Sequence, residues 1–260
     1  MPRKARPLVD VLQFLLLAGV IAWVLAEGFG NIHYNWQWYR IPETLFRFQN
    51  GRFVPGPLLN GLWVTVQIST ASFILAFAFG LITALLRLSG AVTAQWVARG
   101  YLEIVRNTPL LVQLFFIYFV LSPILGIERY TAAILALSLF EGAYASEIFR
   151  AGIQSIARDQ WEAADSLGLT RYQAYRFVIL PQAIHKILPP LTGQGISLIK
   201  DSALVSTIAI YDLTMQGQAI IAETFLTFEI WFTVAAMYLA LTLSLSVMVQ
   251  RMESRFEAVA

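Results

Sequence analysis

The chain has 260 residues, of which 58% are hydrophobic and 13% charged, with a formal net charge of +2 and a mean hydropathy of +0.65. Soluble globular chains carry about 25% Asp, Glu, Lys and Arg, so an ordinary water-soluble domain is excluded. With no cysteine there is no disulfide scaffold, thiolate metal site or cysteine nucleophile, the two histidines (His33, His185) are too far apart to suggest a metal centre, and the dispersed basic residues form no stripe for nucleic acid.

A membrane-spanning helix needs about 20 mostly apolar residues. Six segments meet that test, which predicts an all-α integral membrane protein with six transmembrane helices. The first, 8–26, follows Arg3, Lys4 and Arg6 in the manner of a secretion signal, but no A-x-A-like cleavage site follows, so it is expected to stay as a signal anchor. Tyr34, Trp36, Trp38 and Tyr39 then read as an aromatic belt at the outer face. The segment 49–57, with two Gly and two Pro around Arg52, reads as a loop that separates this helix from five others. The second span, 59–86, is long enough to require tilt or an extension into water, and the third, 109–125, is short but nearly uncharged.

The fourth span, 131–149, is apolar apart from Glu141 and Glu147. The fifth, 187–210, holds Gly193, Gln194, Gly195, Lys200 and Asp201, so it must be buried against other helices or line a cavity. The last is 231–249. Counted by loop, thirteen Lys and Arg fall on one side and four on the other, which places both termini in the cytoplasm. No internal repeat or low-complexity tract interrupts the pattern.

The longest inward segment, 150–186, is not linker-like. Ala163, Ala164 and Leu167 keep helical spacing, Gly168 suits a helix C-terminus, and Thr170 is placed to cap a second helix. That helix has Tyr172, Tyr175, Val178 and Ile179 as its apolar positions, and Pro181 is expected to end or kink it. Two short helices meeting at a glycine make a projection whose small alanines let another backbone approach closely.

Residues 162–181 also resemble a known pattern: Glu162-Ala163-Ala164, three residues, Gly168, nine residues, Val178, one more, then Leu180-Pro181. This is similar to the EAA loop of ATP-binding-cassette importer permeases, with Val178 where Ile is usual. NGLWVTVQIS (60–69), YLEIVRNTPLLVQLFF (101–116), FEGAYASEIFRAGIQSI (140–156) and LIKDSALVSTIAIYDL (198–213) resemble the branch that imports polar amino acids. The resemblance spans about 58–255 and implies a type I permease domain there, with a coupling loop at about 159–181, behind an accessory domain of helix and periplasmic loop at 1–57. It implies that Glu162, Ala163, Ala164 and Gly168 couple to a separate ATPase dimer. It also implies a second permease (identical or homologous), an external amino-acid-binding protein, and residence in the bacterial inner membrane. ATP and Mg would sit on the ATPase, leaving no cofactor on this chain. Alternating access is the mechanism implied, with the polar 187–210 helix lining the interface between paired permeases.

The absent motifs agree with a transport component rather than an enzyme. There is no G-x-x-x-x-G-K-[ST], no HExxH, no nucleophile elbow and no Ser/His/Asp set. An ionisable group at bilayer depth costs about 2.5–3.5 kcal/mol on insertion scales, so Glu141, Lys200 and Asp201 each require a partner or a water-filled path. With the amides Gln113 and Gln194 they are the candidate translocation residues, each also open to a purely structural reading. Glu147 is one turn from Arg150, and an i,i+3 pair accounts for it. Gly142 and Ser146 form a small-xxx-small pair suited to close helix packing. An ion-driven transporter and a non-transporting scaffold are the competing classes. The first lacks an inverted repeat, and the second leaves the buried charges unexplained.

Overall fold

A computed structural model describes residues 7–31, 34–49 and 51–257. Arg3, Lys4, Arg6 and His33 lie outside the described residues. The chain divides into two compact units, Met1–Trp38 and Tyr39–Ala260.

In the first unit, α1 (Pro7–Asn31) contains the predicted 8–26 span. Its apolar side chains are exposed all round, from Phe14 to Trp23, the pattern of a helix solvated by lipid. Past it, Trp36 stacks on Trp38 at 6.1 Å and meets Tyr34 edge-on at 5.1 Å.

The second unit opens with α2 (Ile41–Leu45) and an antiparallel hairpin, β1 (Phe46–Gln49) with β2 (Arg52–Pro55), in the register Phe46↔Pro55. The loop expected over 49–57 is therefore half strand. The Gly and Pro content of that stretch obscured an Asn50-Gly51 pair between apolar alternations, which is the sequence signal for a two-residue hairpin turn. Gly51 takes the positive φ such a turn demands, +73°.

The long helix α3 (Pro57–Leu88) covers the predicted 59–86 span. It is followed by α4 (Val92–Arg106), a helix absent from the sequence reading. After Pro109, α5 (Leu110–Phe115), a π turn and α6 (Ser122–Leu125) form one continuous run over the predicted third span. This run meets α4 at 105°. The fourth predicted span lies within α7 (Arg129–Gln154) and the last within α12 (Thr227–Glu257).

Among the described residues, four helices are long and apolar enough to cross a membrane, or five if the bent α4–α6 pair counts as one. The segment 187–210 is not among them. It is helical only as the second half of α10 (Leu180–Asp201) and then tightens into a 3₁₀ turn, Ser202–Ile208, with Ala209 at φ +58°. The hydroxyls of Ser202, Ser206 and Thr207 each donate back to the carbonyl three residues earlier, at 2.7 Å, which favours the tighter turn over a continued α-helix. Between α7 and α10 lie α8 (Arg158–Ser166), α9 (Arg171–Ala174) and a second π turn, Tyr175–Ile179; α11 (Leu213–Thr224) precedes α12. Of the two outcomes expected at Pro181, an end or a kink, the helix does not end. The π turn before it widens the backbone where the proline ring would strike the carbonyl four residues back, and the helix continues.

The core is the packing of α3 on α7. A Cβ placed on Gly80 would lie 2.7 Å from the Ala145 Cβ and 3.0 Å from the Gly142 carbonyl oxygen, so the two backbones touch with no side chain between them. Gly142 and Ser146 lie in this seam as the small-residue pattern predicts, with Ser146 fully buried.

This seam generates a pair of opposite expectations. Gly80→Ala should overpack it and cost about 1–3 kcal/mol. Gly100→Ala, where an added Cβ meets nothing within 4 Å, should be neutral or stabilising by up to about 1 kcal/mol. Thermal unfolding of the detergent-solubilised variants checks both signs.

Candidate functional site

Three groups of residues carry chemistry, all attached to α7 or to the chain that leaves it. The first is the 155–181 projection. Helix α8 ends in a Schellman arrangement: Gly168 N–H bonds Asp165 O at 2.9 Å, Leu169 N–H bonds Ala164 O at 3.2 Å, and Gly168 sits at φ +69°. Thr170 caps α9 through a reciprocal box with Gln173. The Trp161 ring meets Tyr175 edge-on at 5.0 Å, Gln182 donates to Gln160 at 3.0 Å, and Lys186 donates to Ser155 O at 3.0 Å, so both helices are braced against α10.

The expected shared face of Ala163, Ala164 and Leu167 is split. Ala164 is buried and seats α8 on the protein. Glu162, Ala163 and Gly168 face solvent, as does Leu167, 78% exposed. In the second helix Tyr172 is exposed and Ala174 takes the buried position instead, while Tyr175 and Val178 are half-buried and Ile179 is buried as expected. Glu162 is held by Arg158 in an exposed i,i+4 pair at 2.9 Å.

The second group surrounds Glu147, near the end of α7. Its pairing with Arg150, at 2.8 Å through Nη2, is as predicted, but Arg87 of α3 and Arg106 of α4 also bind it, Arg106 at 3.3 Å. Arg106 additionally covers the Tyr144 ring at 5.6 Å. One carboxylate thus ties three helices together at the end of the bundle that leads into α8. No spacing rule brings Arg87 and Glu147, 60 residues apart, together; the arginine at the end of α3 was visible only as a topology marker.

The third group lies mid-helix. Glu141 is fully buried, its Oε2 accepts from Gln194 Nε2, and the Asp201 carboxylate lies beside it. Its Oε1 has no hydrogen-bond partner among the described residues. Of the five candidate translocation residues, Glu141, Gln194 and Asp201 therefore come together. Lys200 does not join them: it is exposed and makes no ion pair among the described residues. Gln113 is elsewhere, donating to Val105 O at 2.7 Å and Thr108 O at 2.8 Å, so its amide fixes the bend between α4 and α5.

The sequence reading missed a further buried polar cluster. Asp212 caps α11 by accepting from Met215 N–H at 2.8 Å and also accepts from the Tyr238 hydroxyl at 3.3 Å. The Thr65 hydroxyl accepts from Leu213 N–H, which fastens α3 to α11. An aspartate just ahead of an apolar helical run was the available signal. Its oxygens are satisfied, which marks a fastening rather than a binding site.

Comparison with known proteins follows the same outline. Residues 76–258 match the family model described as binding-protein-dependent transport system inner membrane component. The chain is similar to the glutamine transport system permease protein GlnP of Escherichia coli (strain K12), 40% identical over 203 residues, covering 77% of this chain and 93% of that protein. It is similar to the glutamate/aspartate import permease protein GltK of Escherichia coli O6:H1, 33% identical over 222 residues, covering 81% and 99%. Among solved structures it resembles one described as an amino acid ABC transporter with histidines, with a TM-score of 0.72 at 40% identity, covering 76% of this chain and 94% of that one.

Glu147 and Glu162 should respond differently to loss of charge. Glu147→Ala leaves three guanidiniums crowded in a largely enclosed place and should cost about 2–4 kcal/mol, read as a fall in unfolding temperature. Glu162→Ala removes an exposed pair worth at most about 0.5 kcal/mol and should leave that temperature unchanged.

Proposed function

The chain belongs to the binding-protein-dependent transport system inner membrane component family, and on that premise we propose that it is the permease subunit that carries polar amino acids through an ATP-driven importer. The glutamine and glutamate/aspartate permeases among its relatives support that substrate class. A soluble binding protein delivers the amino acid from outside, and a second permease, identical or homologous, completes the pathway. An ATPase dimer on the cytoplasmic side supplies the energy and holds the ATP and Mg, since this sequence has no P-loop. Residence in the inner membrane with both termini in the cytoplasm agrees with the excess of Lys and Arg on the side of the 150–186 segment. The division into an accessory helix over 1–57 and a permease domain over 58–255 is part of the same reading.

One observation carries it. The EAA segment is an exposed helix with small and apolar side chains outward, braced from beneath by Ala164, Trp161 and Lys186. An ordinary interfacial helix would turn its apolar face to the membrane. Here Leu167 and Tyr172 are exposed among the charged Arg158 and Glu162 and beside Ala163 and Gly168, a mixed surface that a groove on another protein would cover. Closure of the ATPase dimer pushes this helix, α7 and α10 move with it, and the pathway changes the side to which it opens. In that pathway the open oxygen of Glu141, with Gln194 and Asp201, suits the ammonium group of an amino acid. Lys200, exposed on the single chain, belongs to the surface the second permease would cover.

Purification of the tagged chain from its native membrane in mild detergent should retain a P-loop ATPase, and Gly168→Asp should release it. Asp, with Asn, enters the left-handed region more readily than most side chains, so the helix end survives while a charge meets the partner. An ATPase retained equally by wild type and variant, or found with neither, contradicts the docking surface. In uptake measurements Glu141→Gln should lower transport or change substrate preference with the ATPase still bound, whereas unaltered uptake removes Glu141 from the pathway.

A further inference from the structure

The π turns, the Asp212 fastening and the apolar groove between α3, α10 and α12 are accounted for by packing or by the paired permease. One cavity is not. At the end of the bundle that leads into α8, a polar cavity of about 320 Å³ is lined by Arg87, Arg99, Arg106, Glu103, Tyr144 and Glu147, among others. Its charges do not balance. Arg87, Arg106 and Arg150 all converge on Glu147, and Glu103 accepts from Asn107 Nδ2 at 2.9 Å. Arg99 makes no ion pair among the described residues, so three guanidiniums line the cavity with two carboxylates, and one of those, Glu147, is also bound by Arg150 from beside it.

The helix that supplies Arg99, Glu103 and Arg106 has a second property. Along α4, Val97 and Ile104 are 68% and 70% exposed and, seven residues apart, share one side of the helix roughly opposite Arg99, while the equally exposed Val92 and Trp96 lie on the Arg99 side. The α4 axis meets the apolar α5–α6 run at 105°, so if that run crosses the bilayer, α4 lies nearly in its plane. A helix in that plane with an apolar strip and a basic side lies at the level of the lipid headgroups. Arg87, in the last turn of α3, and Arg150, near the end of α7, complete the basic rim at the same level. A guanidinium fork binds phosphate oxygens in pairs, and basic residues at this depth attract anionic lipid.

We propose that this cavity binds a phosphate group, supplied by an anionic phospholipid of the inner leaflet, with Arg99 and Arg106 as its ligands and the Glu147 cluster as its floor. The lipid then clamps α4 against the ends of α3 and α7, next to the loop that receives the ATPase. The inference rests on the cytoplasmic orientation adopted above for this end of the bundle.

The test is native mass spectrometry of the delipidated permease with its co-purified ATPase, titrated with phosphatidylglycerol or phosphatidylcholine. The expected result is preferential retention of phosphatidylglycerol by wild type, reduced about fivefold in Arg99→Ala and further in Arg99→Glu. Arg99 is exposed and unpaired, so neither substitution should disturb folding, and an unchanged unfolding temperature confirms it. Inorganic phosphate is the second probe. Arg99-dependent binding of phosphate without lipid preference supports the anion site and moves its source to a soluble phosphate. Equal retention of both lipids by wild type and both variants, with no phosphate binding, overturns the proposal. Co-elution of the ATPase is scored in the same samples, so a failure of the permease reading is seen separately from a failure of the lipid site.

Discussion

The direct contact between α3 and α7 is the constraint on which the other features depend. In lipid, apolar side chains gain nothing by leaving their surroundings, so helices associate through close packing and interhelical hydrogen bonds. Gly80 against Gly142 and Ala145 allows that approach, and the buried alanines 132, 133, 136 and 143 extend the small-residue character along α7. A helix gripped in this way is a stiff rod. Glu141 sits in its middle, Glu147 lies near its end, and the chain passes through Ser155 into α8. Phe149, Ile153 and Ile156 pack with Ile179, Ala183 and Ile187, so a push on α8 reaches α7 and α10 together.

The charged residues divide by how completely they are satisfied. Glu147 has three arginines and Asp212 is bonded through both oxygens, as expected of groups whose task is to hold helices in place. Glu141 is buried with one oxygen unpaired and a second carboxylate beside it, which is costly unless something else occupies the space. The proposed transport of amino acids would give that arrangement a use. Burial alone would have ranked Asp212 and Glu141 together; the state of their oxygens separates them.

The helices of the fold were legible wherever apolar runs were long: the spans in α1, α3, α5–α6, α7 and α12 were all placed from composition. The missed features are those whose signal is mixed or distant. Helix α4 keeps Ala98, Leu102 and Val105 at helical spacing, but with Arg99, Glu103 and Arg106 among them it has no apolar run long enough to register in a hydropathy reading. The hairpin lay under a Gly and Pro count that hid its Asn-Gly turn. The end of α10 depends on serine and threonine hydroxyls folding back on the backbone, a local competition that hydropathy does not register. In the candidate site, the Gly168 and Thr170 caps were readable because they are local, and so was the Glu147–Arg150 pair. The exposure of Ala163 opposite Ala164, and the Arg87 and Arg106 contacts to Glu147, exist only once helices far apart in sequence are packed.

The account stands most directly on the source of energy for transport. Proteoliposomes containing this permease, its co-purified ATPase and the binding protein, screened with a panel of polar amino acids, should accumulate one or more of them only when ATP is supplied on the ATPase side, and should not do so with a proton or sodium gradient alone. Accumulation of any polar amino acid driven by an ion gradient in the absence of the ATPase would contradict the account.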